Sequence, residues 1–337
     1  MSEKSTLVDP FDRIVNYVRL SVTDRCNLRC TYCMSEKMEF LPRQKLLTLE
    51  EIRDIGEAFI SLGVNRIRLT GGEPLVRRGL VSLVDSLASH KSLHELTMTT
   101  NGMLLETHAS DLKTAGLKRL NISVDSLDPK KFNQLTRFGD IDQWYRGVYA
   151  AKKVGFSKIK LNVVVLKGFN ESEICDLVAF AIANEFDISF IEEMPLGETN
   201  SHNRSETQFH SVDVKSNICK QYDLIETLER TSGPSKYMRV VGTRTRVGFI
   251  SPISDNFCNL CNRVRVTADG RLLLCLGNEN SVDLRSVVRS HPGDQSILRD
   301  TIKEAIKYKP ERHYFDPNRT DILSLIHISE PTRRVFI

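Results

Sequence analysis

The sequence predicts an α/β fold, a partial TIM-like (βα)6 barrel followed by a C-terminal extension, on three observations. Strand-like alternation of apolar and polar residues recurs between Val18 and Glu192, with helical patterns between the runs, as in parallel strands joined by crossovers. Each run keeps a polar half, whereas a doubly wound sheet covered on both faces has near-continuous apolar strands. The loops that follow the runs carry cysteines, a Gly-Gly-Glu-Pro segment and an Asn-Gly pair, where the mouth of a βα barrel carries its chemistry. The alternation alone fits the solvated face of an antiparallel sheet equally well, and the first cysteine loop favours the lumen.

In the first run Val18, Leu20 and Val22 alternate with Arg19, Ser21 and Thr23, and the chain then enters the first cysteine loop. Thr48-Leu49-Glu50-Glu51 reads as a capping box opening a helix over 48–62. Ile67 and Leu69 alternate with Arg66, Arg68 and Thr70 ahead of Gly71-Gly72-Glu73-Pro74, and a helix is expected over 79–89. Leu96 and Met98 lead to Thr100-Asn101-Gly102 and a helix over 107–114. Leu120, Ile122 and Val124 alternate with Asn121, Ser123 and Asp125, with a helix over 142–154 to follow. Ile159 and Leu161 alternate with Lys158, Lys160 and Asn162, followed by a helix over 171–184. The sixth run, 188–192, ends at Glu193-Met194-Pro195, and 197–206 is polar and loop-like. Beyond it a helix is expected over 212–222, with short strands at 238–241, 247–250, 264–267 and 271–274. The last two flank Ala268-Asp269-Gly270, whose Asp-Gly reads as a hairpin turn.

The composition excludes several classes. With 337 residues, about 150 per domain suggests two domains or one large unit with an extension. A net charge of +4 is too mild to imply nucleic acid or a membrane surface as partner. No apolar stretch approaches the ~20 residues that span a bilayer, and Met1–Arg13 has no signal-like apolar core. A cytoplasmic, reducing location is expected, so the eight cysteines read as metal ligands or reactive thiols rather than disulfides.

Six of those cysteines form two clusters, Cys26-x3-Cys30-x2-Cys33 and Cys258-x2-Cys261-x13-Cys275, while Cys175 and Cys219 read as core thiols. Structural zinc wants four ligands in a closed tetrahedron, and neither histidine nor a fourth cysteine is spaced to complete the first set. Soft thiolates also suit iron–sulfur clusters. Three cysteines on a four-iron cluster leave one iron open; the spacing alone shows only incomplete ligation.

CNLRCTYC resembles the signature of radical S-adenosylmethionine (SAM) enzymes, in which the open iron chelates SAM and one electron releases a 5′-deoxyadenosyl radical. YVRLSVTDRCNLRCTYCM, RIRLTGGEPLVRR, TMTTNG, RLNISVDSLD and FIEEMPLG, with Cys258, Cys261, Asn262-Arg263-Val264-Arg265 and Cys275, resemble the GTP 3′,8-cyclase (MoaA) family over about residues 10–323. The resemblance implies two 4Fe-4S clusters, SAM, and cyclisation of GTP to 3′,8-cyclo-7,8-dihydro-GTP, the first step of molybdenum cofactor biosynthesis. It implies a SAM cluster on Cys26, Cys30 and Cys33 and a substrate cluster on Cys258, Cys261 and Cys275. It places SAM contacts at Tyr32, Gly72, Ser123 and Met194, and GTP contacts at Arg19, Arg68, Thr99, Lys160, Arg263 and Arg265. The chemistry is carried by the clusters and the SAM-derived radical, with no single catalytic side chain assigned. Arg66, on the face of Arg68, is a further candidate cation. Expected partners are cyclic pyranopterin monophosphate synthase acting on the product, an electron donor such as flavodoxin or ferredoxin, and a second copy in a homodimer. The barrel is expected over 10–235 and the cluster-binding region over 236–323.

Two departures carry expectations. Ser189 stands where the family carries an arginine, so weaker GTP affinity is expected. From Ser324 the chain reads SLIHISEPTRRVFI in place of the family's Gly-Gly tail; 324–337 is expected to be non-native, and cyclisation to be impaired. A radical SAM peptide maturase would show a denser C-terminal cysteine pattern, and a pure electron-transfer protein would not need the Gly-Gly-Glu-Pro segment.

Overall fold

A computed structural model describes residues 6–194, 203–229, 231, 233–276 and 281–313. Pro195, most of the 197–206 loop and the segment from Ser324 lie outside these residues.

The chain runs β1 (Tyr17–Ser21), α1 (Leu49–Ser61), β2 (Arg66–Thr70), α2 (Leu80–Ala88), β3 (Glu95–Thr100), α3 (Leu105–Thr114) and β4 (Arg119–Ser123). It continues with α4 (Pro129–Thr136), α5 (Ile141–Lys153), β5 (Ile159–Val165), α6 (Ile174–Asn184), β6 (Asp187–Glu192), α7 (Arg204–Thr207) and α8 (Ser211–Ile218). Then follow β7 (Leu224–Glu226), β8 (Lys236–Val240), β9 (Arg246–Ile250), β10 (Arg263–Val266), β11 (Arg271–Leu273), β12 (Ser281–Asp283), α9 (Leu284–Ser290) and α10 (Gln295–Ile306). The six expected barrel strands are present. α4, α9, α10 and the short strands β7 and β12 are additional, α8 stops before Tyr222, and the end of the expected 197–206 loop is the helical turn α7.

All twelve strands join one sheet in the order β12-β11-β10-β1-β2-β3-β4-β5-β6-β9-β8-β7. β1 to β6 are parallel neighbours in chain order, which excludes the antiparallel alternative. The C-terminal region supplies both flanks: β10 pairs parallel with β1, and β9 pairs parallel with β6.

The apolar half of each strand forms the core. Leu20, Ile67, Leu69, Met98, Ile122, Leu161 and Ile188 are buried with Ile55 and Phe59 of α1, Leu87 of α2, Trp144 of α5 and Leu177 of α6. α1, α4 and α5 start on side-chain caps, whereas α2, α3 and α6 do not. Thr48 Oγ1 accepts from the Glu51 N–H at 3.1 Å while the Thr48 N–H donates to Glu51 Oε2 at 2.8 Å, a pairing worth about 1 kcal/mol. The expected hairpin joins β10 and β11 antiparallel, with Gly270 at φ +86°, where a side chain would be strained. It returns Cys275 to the neighbourhood of Cys261. Among the described residues no helix is long and apolar enough to cross a membrane.

Candidate active site

The polar halves of the strands meet in register on the opposite face. One row runs Arg265 (β10), Arg19 (β1), Arg68 (β2), Thr97 (β3) and Arg119 (β4). A row nearer the strand ends runs Thr99, Asn121, Lys160, and the last runs Ser123, Asn162, Ser189, Gly248. Residues from β1, β2, β3, β5, β6, β9 and β10 line one cavity, so the sheet curves around it. All six expected GTP contacts line it: Arg19, Arg68, Thr99, Lys160, Arg263 and Arg265. Met194 and the thiol-bearing Cys258, Cys261 and Cys275 do so too.

The lumen holds more positive charge than it neutralises. Burial pushes Arg68 down to about 10, with Arg19 and Arg119 adding repulsion against the pull of Tyr17. Burial pushes Lys160 down to about 8. Arg265 is pushed well below its ordinary range by burial, then by Arg19 and Arg263. Arg119 pairs with Glu95 at 3.5 Å. Asn121 is fully buried, yet neither its Oδ1 nor its Nδ2 has a protein partner, and Asn162 Oδ1 is likewise orphaned. Unmet buried polar atoms cost ~1–3 kcal/mol each, and Asn162, which lines the cavity, would recover this from a ligand that carries a hydrogen-bond donor. The cavity is thus matched to a phosphate-bearing polar molecule.

The C-terminal thiols sit among cations. Cys258 Sγ is 2.9 Å from His313 Nδ1, and Lys309 Nζ is 3.6 Å from Cys261 Sγ and donates to the Leu274 carbonyl at 2.7 Å. Burial raises the Cys261 thiol, but Arg263 and Lys309 outweigh it and hold Cys261 below its ordinary value. Arg13 clamps this region. Its guanidinium donates to the carbonyls of Cys258, Pro310 and Glu311 at 2.7, 2.6 and 2.5 Å, and pairs with Asp9 at 2.6 Å.

The N-terminal thiols are the opposite case. Burial pushes Cys26 up to about 11 and Cys33 up to about 12. Cys30 is pushed well above its ordinary value by burial and then by Cys33, Asp125 and Cys26. Three neighbouring thiols whose anions would repel one another fit a cationic iron–sulfur core that takes over from their protons. Among the described residues no group of three His, Cys, Asp or Glu is arranged to hold a single metal ion, so the fit rests on this donor chemistry.

The remaining expected SAM contacts, Tyr32, Gly72 and Ser123, are absent from the cavity lining. The Tyr32 hydroxyl donates to Asp125 Oδ2 at 2.8 Å. Ser123, at the end of β4, accepts from Trp144 Nε1 through its carbonyl at 3.2 Å. A Cβ on Gly72 would lie 2.3 Å from the Arg25 carbonyl oxygen, so the glycine is required by the cluster loop packing on it. The neighbouring Glu73 is fully buried and accepts from Thr100 Oγ1 at 2.7 Å, the Asn101 N–H at 2.6 Å and the Leu75 N–H at 3.0 Å. Burial pushes it up to about 7. It braces the β2 and β3 end loops, and Asn101 Nδ2 in turn reaches Asn27 Oδ1 at 2.8 Å and Cys26 Sγ at 3.8 Å.

Ser189 is fully buried, 2.9 Å from Ser235 Oγ, and a Cβ on its neighbour Gly248 would strike both serines and the Tyr237 ring. The place of a lumen arginine is filled by this packing. Asn121 and Asn162 were visible in the alternation yet unassigned, Arg119 was not singled out, and Arg13, Lys309 and His313 carried no sequence signal. Arg66 is in register with Tyr17 and Glu95, and it is not among the cavity-lining residues.

Residues 20–181 match the radical SAM superfamily model, and 186–315 match the Molybdenum Cofactor Synthesis C model. The GTP 3′,8-cyclase of Pseudomonas fluorescens is 54% identical over 319 residues, covering 94% of this chain and 96% of that protein. GTP 3′,8-cyclase 2 of Pseudomonas aeruginosa is 53% identical, covering 93% of this chain and 94% of that protein. The fold is similar to Streptococcus suis SuiB in a crystal structure with S-adenosylmethionine bound. The TM-score is 0.62 at 15% identity, over 87% of this chain and 69% of that one.

Proposed function

The chain belongs to the GTP 3′,8-cyclase family of radical SAM enzymes, and we propose that it binds GTP in the lumen and joins its ribose 3′ carbon to carbon 8 of the base. The observation that carries the reading is the crowding of Arg19, Arg68, Lys160, Arg263 and Arg265 around one cavity that also holds three cysteines. A triphosphate gives these buried cations the counter-charge they lack, and arginine's fork suits its oxygens. Asn162, which lines the cavity, offers its unmet Oδ1 to a donor on the sugar or base. Cys26, Cys30 and Cys33 would hold the SAM cluster, with Tyr32, Gly72, Ser123 and Met194 about the SAM; Cys258, Cys261 and Cys275 would hold the cluster facing the substrate. Bound together, SAM and its cluster supply a carbon radical able to take a ribose hydrogen. The protein's part is to fix the 3′ carbon and carbon 8 within reach and to exclude water. On this reading the product passes to cyclic pyranopterin monophosphate synthase, and flavodoxin or ferredoxin supplies electrons.

Anaerobic reconstitution with SAM, GTP and a reductant tests it, scoring 5′-deoxyadenosine and the cyclic nucleotide separately. Deoxyadenosine formation is expected to depend on GTP. GTP-independent deoxyadenosine that guanosine or a peptide stimulates equally would sink the assignment of GTP.

A further inference from the structure

We infer that Lys309 is a positioning residue for the C-terminal cysteine set, its ammonium fixing Cys261 and raising the reduction potential of the cluster held by Cys258, Cys261 and Cys275. The inference rests on the cluster reading proposed above.

Lys309 is 2% exposed, and the partners it meets are the Cys261 sulfur at 3.6 Å and the Leu274 carbonyl at 2.7 Å. A buried ammonium costs several kcal/mol unless a charge compensates it. No carboxylate is paired with it among the described residues, whereas a cysteine thiolate would supply the charge. The chain places it there deliberately. Just past the end of α10, the carbonyls of Pro310 and Glu311 are both taken by Arg13, whose charge is matched by Asp9. The same guanidinium holds the Cys258 carbonyl, so one clamp sets the lysine and the cysteine loop in a common frame.

Reduction adds one negative charge to a cluster. A cation against a ligand sulfur stabilises the reduced form and raises the potential. At the N-terminal set the cations act more weakly: Arg29 on Cys26 and Arg204 on Cys33 are the smallest of the influences there, behind burial and the like charges of neighbouring groups, and the side chain reaching the Cys26 sulfur is Asn101, a neutral amide. The two sites, alike in cysteine number, therefore differ in poise, the C-terminal cluster being the more easily reduced.

The test uses full-length, reconstituted protein in which Cys26, Cys30 and Cys33 are replaced by Ser, so that one cluster remains. Midpoints are read by redox titration monitored by electron paramagnetic resonance, alongside iron and sulfide content. Lys309→Gln is expected to lower the reduced-to-oxidised ratio about tenfold at a fixed potential, about 59 mV for a one-electron couple, while Lys309→Arg stays near the parent. A Gln variant that fails to load iron while the Arg variant loads it also supports the inference, since charge is then needed to hold the thiolates. An unchanged midpoint in a loaded Gln variant overturns it, as does failure of both variants to load. If the parent with Lys309 intact holds no cluster, the cluster assignment itself is wrong and this inference falls with it.

Discussion

Lys160→Met is expected to stabilise the protein and weaken GTP binding at the same time. Burial lowers Lys160 from 10.5 to about 8, a difference of about 3 kcal/mol at ~1.4 kcal/mol for each tenfold step. The sign follows from the direction. A base with a depressed folded value destabilises the fold while it is charged, so the cost is fully present below about pH 8 and is relieved as pH rises towards 10.5. At pH 7 the Met variant should therefore melt higher, by up to about 3 kcal/mol before the lost Tyr237 contact is subtracted. Binding moves the other way. Removing a charged hydrogen bond to phosphate costs about 1.5–3 kcal/mol, or roughly a 10- to 150-fold weaker Kd. The parent lysine goes from about nine-tenths charged at pH 7 to about one-tenth at pH 9, so its GTP affinity should fall up to tenfold over that interval. Lys160→Arg should flatten the slope, because arginine stays charged. Anaerobic calorimetry with GTP at pH 7, 8 and 9, with guanosine as control, measures both effects. An unchanged Kd in the Met variant, or an equal pH slope in the Arg variant, would refute the lumen phosphate site.

Gly72→Ala should cost the N-terminal cluster specifically, because its Cβ falls 2.3 Å from the Arg25 carbonyl oxygen; iron content should halve, and full loading would contradict the packing argument. Ser189→Arg should lower the melting temperature rather than tighten GTP binding, since overpacking costs about 1–3 kcal/mol before any unpaired charge and Ser235 and Tyr237 already fill the space. A stable variant with tenfold tighter binding would restore the expectation raised by the sequence. Cys258→Ser should leave deoxyadenosine formation measurable while abolishing the cyclic product, whereas Cys26→Ser should abolish both; loss of both from Cys258→Ser would show that the two sites do not divide the work.

The barrel strands were legible because a polar face on a parallel strand leaves a period of two, and the cysteine loop that follows the first of them separated that pattern from the face of an antiparallel sheet. Register turned that pattern into a site. Arg19, Arg68, Lys160 and Arg265 come from four strands distant in sequence, and parity alone places them on one face. The additional elements were missed for different reasons. α4 opens on Asp128-Pro129, with the Asp128 carboxylate accepting from the Lys130 and Lys131 N–H groups at 2.9 Å. That signal was present and unread. β7 and β12 are three-residue edge strands whose existence depends on the partners they pair with, β8 and β11, and no local pattern is long enough to announce them.

The cations that govern the second cysteine set show where sequence reasoning runs out. Lys309 stands in Lys307-Tyr308-Lys309-Pro310, where Lys307 is exposed beside Glu304 and Lys309 is buried against Cys261. The two lysines have the same chemistry and nearly the same neighbours in the chain, and only the Arg13 clamp across about 300 residues separates their fates. A charge buried in this way is expensive, and the lumen repeats the expense at Arg68, Lys160 and Arg265. A fold selected for stability alone would not keep it. The cost becomes intelligible once two anions are supplied, a triphosphate for the strand cations and a cluster's thiolates for Lys309, so the energetics of these buried cations specify the charge of what completes the site.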